Sequence, residues 1–198
     1  MSARTDSARQ ADDSPRREAI LNAALDLFCE RTFEGAAVPL IASNAGVSAG
    51  TIYHYFDSKE ALVNALYQHW KGHLKQMLAD EAPRGAPARE EFQHWWRTLW
   101  RFASKYPRAF AFLETHHHAA YLDATSLAIS DGLLDGARVF VRRGQRARTV
   151  RRGNPDVLIA MVLGAFTGLV KLTDGEGLDY SARAVADTEE CAWRMISG

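Results

Sequence analysis

The chain has 198 residues, and its 24 Lys plus Arg balance 24 Asp plus Glu, leaving no formal net charge. Hydrophobic residues make up 47% and charged residues 24%, which excludes a disordered, collagen-like or supercharged protein. Two cysteines, Cys29 and Cys191, are too few and too far apart for a disulfide scaffold or a zinc finger, and leave the cytosol as the default compartment.

The first 20 residues carry no apolar run, which argues against a secretory signal peptide. Residues 1–14 are polar with almost nothing to bury and predict a disordered arm. Ser14 and Pro15 read as the N-cap and first position of a helix to about Arg31, with Ile20, Ala24, Leu27 and Phe28 at helical spacing. Gly35 interrupts the pattern. Pro39 restarts it for a short helix that Gly46 ends, and Ser48 caps a third helix carrying Ile52 and Phe56. Asp57 or Ser58 caps a fourth, which reaches about Asp80. Pro83 and Pro87 mark a break.

Beyond the break, Phe92, Trp95, Trp96, Leu99, Trp100 and Phe102 give one helix a broad apolar face. Pro107 starts another helix to about His117. Leu122 to Arg143 predicts a long helix ending at Gly144. Pro155 opens a helix whose stretch Val157–Val170 is apolar nearly all round; its 14 residues fall short of the roughly 20 of a membrane span, so it reads as buried in protein. A last helix runs from about Ser181 to Met195. No period-two alternation is long enough for a strand. The fold class is all-α, with about nine helices. The expected division is an arm over 1–14, a helix-turn-helix domain over 15–62 whose connecting helix continues to about 80, and a C-terminal helical domain over 63–198.

The informative stretch is VPLIASNAGVSAGTIYHYFDSKEAL, Val38 to Leu62. Two short helices joined by a Gly-containing turn are the helix-turn-helix layout. Ala42 and Ala45 are small enough for close helix approach, and Val47 seals the turn. Ile52 and Phe56, four apart, face inward together, so Ala49, Thr51, Tyr53 and Tyr55 mostly face elsewhere. A short helix exposing Thr and Tyr suits the DNA major groove, and Lys59 stands where a phosphate contact is reasonable.

AGVSAGTIYHYFDSKEAL, with the upstream LNAALDLFCERTFEGAAV, resembles the DNA-binding signature of the TetR/AcrR family of bacterial transcriptional regulators. The resemblance implies a cytoplasmic homodimer that places the helix from about Ala49 to Tyr55 in the major groove of a palindromic operator. Ala49, Gly50, Thr51, Tyr53, Tyr55 and Lys59 match the operator-facing positions, with Ser48 as the cap. Ala49 and Thr51 are expected to read bases, with Ser43 or Asn44 as additions, and Tyr53 and Tyr55 to meet phosphates. It also implies a small-molecule effector bound among the central helices. The short apolar stretch speaks against a membrane, and the sequence offers no nucleophile elbow, phosphate-binding Gly loop or paired metal motif, so no cofactor and no catalysis are expected. Side-chain type nominates Trp95, Trp96, Leu99, Trp100, Phe110, Leu113, His117, Tyr121 and Phe166 for the pocket, and an apolar or aromatic effector that releases a repressor from DNA. Leu158, Met161, Val162, Ala165, Leu169, Val185, Thr188, Ala192 and Ile196 are nominated for the dimer interface.

Two features depart from that pattern. Ala36 and Ala37 precede the second helix where the family commonly has a capping Thr. Residues 1–59 hold six basic groups against eight acids, so a basic footprint is missing and a modest salt dependence of DNA binding follows. The run His116, His117 and His118 after Glu114 offers an alternative reading as a metal-binding protein or enzyme, although consecutive helical residues cannot all face one ion. Seven arginines between Arg138 and Arg152, with no acid among them, read by default as a solvated helix end, and otherwise as a contact for an anionic ligand, DNA or a partner subunit.

Overall fold

The computed structural model describes residues 3–31, 33–80, 82–83, 85–116, 120–173 and 181–198, and for 3–14 and 173 the backbone alone. Among them the chain forms nine helices: α1 (Ala3–Glu30), α2 (Val38–Asn44), α3 (Ala49–Tyr55), α4 (Lys59–Ala79), α5 (Ala88–Lys105), α6 (Pro107–His116), α7 (Ala124–Arg146), α8 (Pro155–Thr173) and α9 (Ala182–Ile196). No strand is present among the described residues. A lone bridge between Val150 and Ser197 is the one trace of β pairing there.

The sequence signals and helix ends agree closely after α1. Ser48 Oγ accepts from the Thr51 N–H (3.0 Å), and Ser58 Oγ from the Ala61 N–H (3.0 Å), so Ser58 caps α4. Ser181 Oγ accepts from the Ala184 N–H (3.3 Å). Two ends differ. The arm expected over 1–14 is helical from Ala3, with Pro15 inside α1; the Ala, Arg and Gln residues of this stretch favour helix, and proline removes only one N–H. Helix α7 runs through Gly144 to Arg146. It ends where Arg148 turns into the left-handed region at φ 60.

The helices sort into two compact units, residues 1–71 with 108–127, and residues 72–107 with 128–198. The segment 108–127 thus packs with the N-terminal helices. Its side chains show why. Arg108 pairs with Asp26 (2.7 Å) and Glu30 (3.0 Å) of α1. Phe112 packs against Phe28 and Tyr67, and Tyr121 stacks on Phe33.

The core of the first unit holds Ile20, Ala24, Ile41, Ile52, Leu62, Val63, Leu66 and Tyr67, none more than 1% exposed. Within it, Asn64 is buried with four hydrogen bonds. Its amide donates to the carbonyls of Glu60 (2.9 Å) and Tyr121 (2.8 Å). Its oxygen accepts from the Asp123 N–H (2.8 Å) and the Ser126 hydroxyl (2.7 Å). That uses its full bonding capacity and ties α4 to the start of α7.

The second unit is built on aromatics. Trp96 and Trp100 of α5 both meet Phe166 of α8 edge-on, and Phe92 packs on Trp193 of α9. Buried Glu189 of α9 is paired with Arg89 of α5. Helix α8 is buried along Leu158, Ile159, Phe166 and Val170, but exposes Val157, Met161, Leu163 and Leu172. An apolar surface nearly all round was expected to be shared between the chain's own core and a dimer interface, and among the described residues one face of α8 is left exposed. Pro155–Leu172 is long and apolar enough to cross a membrane by length and composition, with only 22% of it buried.

Candidate nucleic-acid interface

The geometry starts from the turn between α2 and α3. The Ala45 N–H bonds the Ile41 carbonyl (2.9 Å), Gly46 follows at φ 67, and the Val47 N–H returns to the Ala42 carbonyl (3.0 Å). No Cβ neighbour crowds Gly46, so the backbone angle alone calls for glycine there. Buried Val38, Ile41 and Ala42 on α2 and Ile52 on α3 hold the two helices together. The N-cap of α2 is Ala37, which makes no side-chain cap bond, and a proline follows in the first turn.

With Ile52 inward, α3 presents Gly50, Tyr53 and His54 to solvent, and Tyr53 is 53% exposed. Ser43, Asn44 and Ser48 are exposed beside it, while Ala49, Thr51 and Tyr55 are half-buried. The Thr51 hydroxyl lies 2.9 Å from Ser48 Oγ, so part of its bonding is used within the helix start. Lys59 is half-buried, donates to the Glu34 carbonyl (3.4 Å) and lies 4.3 Å from the Phe33 ring centre. His54 was not singled out from the sequence. Its position one turn from Gly50 and next to Tyr53 is the signal that places it on the same strip.

Electrostatics modify the charge count. Two of the eight acids in residues 1–59, Asp26 and Glu30, are bound by Arg108, which lies outside that window. Arg17 sits 5.4 Å over the ring of Phe56 at the end of α3. With Arg108 counted beside the acids it binds, the acidic excess of this segment is smaller than the linear count implies.

Residues 20–66 match the family described as bacterial regulatory proteins, tetR family, and residues 67–198 match the tetracyclin repressor-like C-terminal domain. The chain belongs to the TetR family. Among its relatives, the HTH-type transcriptional regulator UidR of Escherichia coli is 44% identical over 57 residues, 29% of each chain. RutR of Escherichia coli is 39% identical over 87 residues, 42% of this chain and 41% of RutR. The chain therefore spans less than half the length of either. A TetR family regulator from Marinobacter aquaeolei shares the fold at TM-score 0.85 and 24% identity, over 96% of this chain and 98% of that one. AibR, solved in complex with isovaleryl coenzyme A and operator DNA, shares it at TM-score 0.77 and 19% identity, over 89% and 97%.

The other nominated residues of this TetR family chain fall as follows. Trp95, Trp96, Leu99, Trp100 and Phe166 belong to the second unit, and Phe110, Leu113 and Tyr121 to the first. His117 lies outside the described residues, as does His118. Trp96 is buried, and its indole N–H donates to Thr188 Oγ1 (3.2 Å). Trp100 lines a cavity of about 470 Å³ with Arg97, Arg101, Ser104, Ala182 and Val185. Of the nominated interface residues, Met161 is exposed, and Val162, Ala165, Leu169, Val185 and Thr188 are half-buried. Leu158, Ala192 and Ile196 lie in the chain's own core, at 5%, 2% and 2% exposure.

The metal reading gains no geometry. His116 is buried between Phe28 and Phe112, and its Nδ1 meets the Tyr121 hydroxyl. Burial holds its pKa below the ordinary imidazole value. No group of three metal-ligating side chains is assembled among the described residues. Cys29 contacts the Arg108 carbonyl (3.2 Å), and burial pushes its thiol pKa up, away from nucleophilic character.

Proposed function

We propose that this chain is an effector-responsive repressor that binds a palindromic operator as a homodimer in the cytoplasm, acting by binding and not by catalysis. The observation that carries the reading is the outward strip of α3, Gly50, Tyr53 and His54, held by a helix-turn-helix in a chain of the TetR family. Tyr53 and Tyr55 meet phosphates, Ala49 and Thr51 read base edges, and Ser43, Asn44 and Ser48 border the groove. Lys59 acts more through the phosphate-facing start of α4 than as a free cation, since Glu34 and Phe33 already engage it.

The effector is a small apolar or aromatic molecule bound among the aromatic helices. The cavity at Trp100 supports this reading, and its arginines would suit an acidic group on the ligand. AibR, similar in fold, is a precedent for a ligand and operator DNA on one such chain. The effector binds better to the conformation whose two α3 helices are wrongly spaced for successive major grooves, about 34 Å apart. Helix α4 runs from one unit into the other and carries that change. The exposed face of α8 is covered by the second copy.

The test is a Thr51→Ala/Tyr53→Ala variant. It should lose selective retention of DNA from upstream of the protein's own gene while keeping wild-type helicity and dimer mass. Normal retention by the double variant would remove α3 from the groove.

A further inference from the structure

The arginine run is divided by the fold. Arg138 pairs with Asp135 and Asp156, and Arg143 with Glu91. Arg151 donates to the carbonyls of Arg194 (3.3 Å) and Ser197 (3.4 Å). Arg142, Arg146 and Arg152 find no acid and no carbonyl among the described residues, and all three line one surface pocket of about 380 Å³ with Gln145 and Gly153. Arg142 and Arg146 are one turn apart on α7, a like-charge spacing that disfavours the helix.

Neutralising the end of α7 does not account for them. The carbonyls of Arg143, Gly144 and Gln145 are already taken by the N–H groups of Ala147, Thr149 and Arg148. Arg152 is on the following loop, outside the helix. The loop is also held in place. The Gln145 amide donates to the carbonyls of Arg151 (3.0 Å) and Gly153 (2.9 Å), and the Arg151 N–H bonds the Ile196 carbonyl (2.8 Å). These carbonyls are satisfied internally, and three guanidinium forks have no acid or carbonyl partner among the described residues.

We propose that this pocket binds a small molecule through two adjacent phosphates. Guanidinium groups match phosphate oxygens in paired hydrogen bonds. One carboxylate would leave two of the three cations uncompensated, whereas a diphosphate engages all three. The site is independent of the DNA-binding reading.

The probe is inorganic pyrophosphate, titrated calorimetrically into the full chain at fixed ionic strength. Wild type should show saturable binding of one anion per chain, tighter than orthophosphate. Arg142→Gln/Arg152→Gln should bind at least about tenfold more weakly. Arg183→Gln, on α9 outside the pocket, should bind as wild type does. If the double variant fails to fold, Arg152→Gln alone carries the comparison, because that side chain has no partner within the described residues. ADP in place of pyrophosphate identifies the carrier: equal or tighter binding assigns a nucleotide, weaker binding a free polyphosphate, and both uphold the site. No saturable heat with wild type, orthophosphate binding as tightly as pyrophosphate, or undiminished binding by the arginine variants would overturn it. So would competitive displacement of pyrophosphate by duplex DNA, which would assign the arginines to a nucleic-acid backbone.

Discussion

Tyr53 and His54 show what a residue's type and its position can each say. Tyr53 could be placed from the motif alone, since Ile52 on a seven-residue helix and Phe56 at its C-cap both face inward. His54 needed the observed rotation of α3 to join the exposed strip. Tyr53→Ala alone is expected to weaken operator binding by about tenfold, as read by gel shift, and to leave the unfolding midpoint unchanged. Thr51 and Lys59 are half-spent inside the protein, on Ser48 and on Glu34, which single-letter reading could not show. His116 behaves oppositely to the metal reading of its run. Its folded pKa lies below its unfolded one because burial disfavours the charged ring. The unfolded chain therefore binds more protons just below about pH 6.5, and stability present above that pH is lost as the pH falls. The thermal midpoint should drop between about pH 7 and 5.5, with a shallower drop in His116→Gln. Equal slopes for the two proteins would show that another group sets the pH dependence.

At the scale of elements, proline, glycine and serine made most helix boundaries legible: Ser48, Ser58 and Ser181 cap the helices they were expected to open, or share the expectation with a neighbour. Contacts between distant segments were not legible. The joining of 108–127 to the N-terminal helices depends on Arg108, Phe112 and Asn64, and no local pattern reports partners 50 residues or more away. The one available signal was Asn64, a polar residue inside the apolar row Leu62, Val63, Leu66. Asn64→Ala leaves buried partners on the α6–α7 connection and α7 unmatched, and should cost about 3 kcal/mol in urea unfolding. A loss under about 0.5 kcal/mol would mean that water replaces the amide. The C-terminal end of α7 makes a second case. A Cβ at Gly144 would stand 2.4 Å from Val150 Cγ2, so Gly144→Ala should destabilise by about 1–3 kcal/mol, with Val150→Ala restoring part of it. An undiminished unfolding midpoint would show that this loop yields freely.

At the scale of the whole molecule, the all-α class and the helix-turn-helix were carried by periodicity and one motif, while the uncovered face of α8 appears only in three dimensions. Continuous apolar sequence cannot distinguish a helix buried in its own chain from one shared with a second copy. Val157, Met161, Gly164, Gly168 and Leu172 fall on one exposed row of α8, with open space over both glycines. Wild type should therefore sediment as a dimer at micromolar concentration and Met161→Glu as a monomer; a monomeric wild type would count against the α8 interface. The central claim is sequence-selective operator binding by an N-terminal half with no basic excess. It is tested by fluorescence anisotropy of a labelled duplex from upstream of the protein's own gene, titrated beside a scrambled duplex at several salt concentrations. Tight binding to the upstream duplex alone, with a shallow dependence on salt, is the predicted result. Equal and weak binding to both duplexes would contradict it.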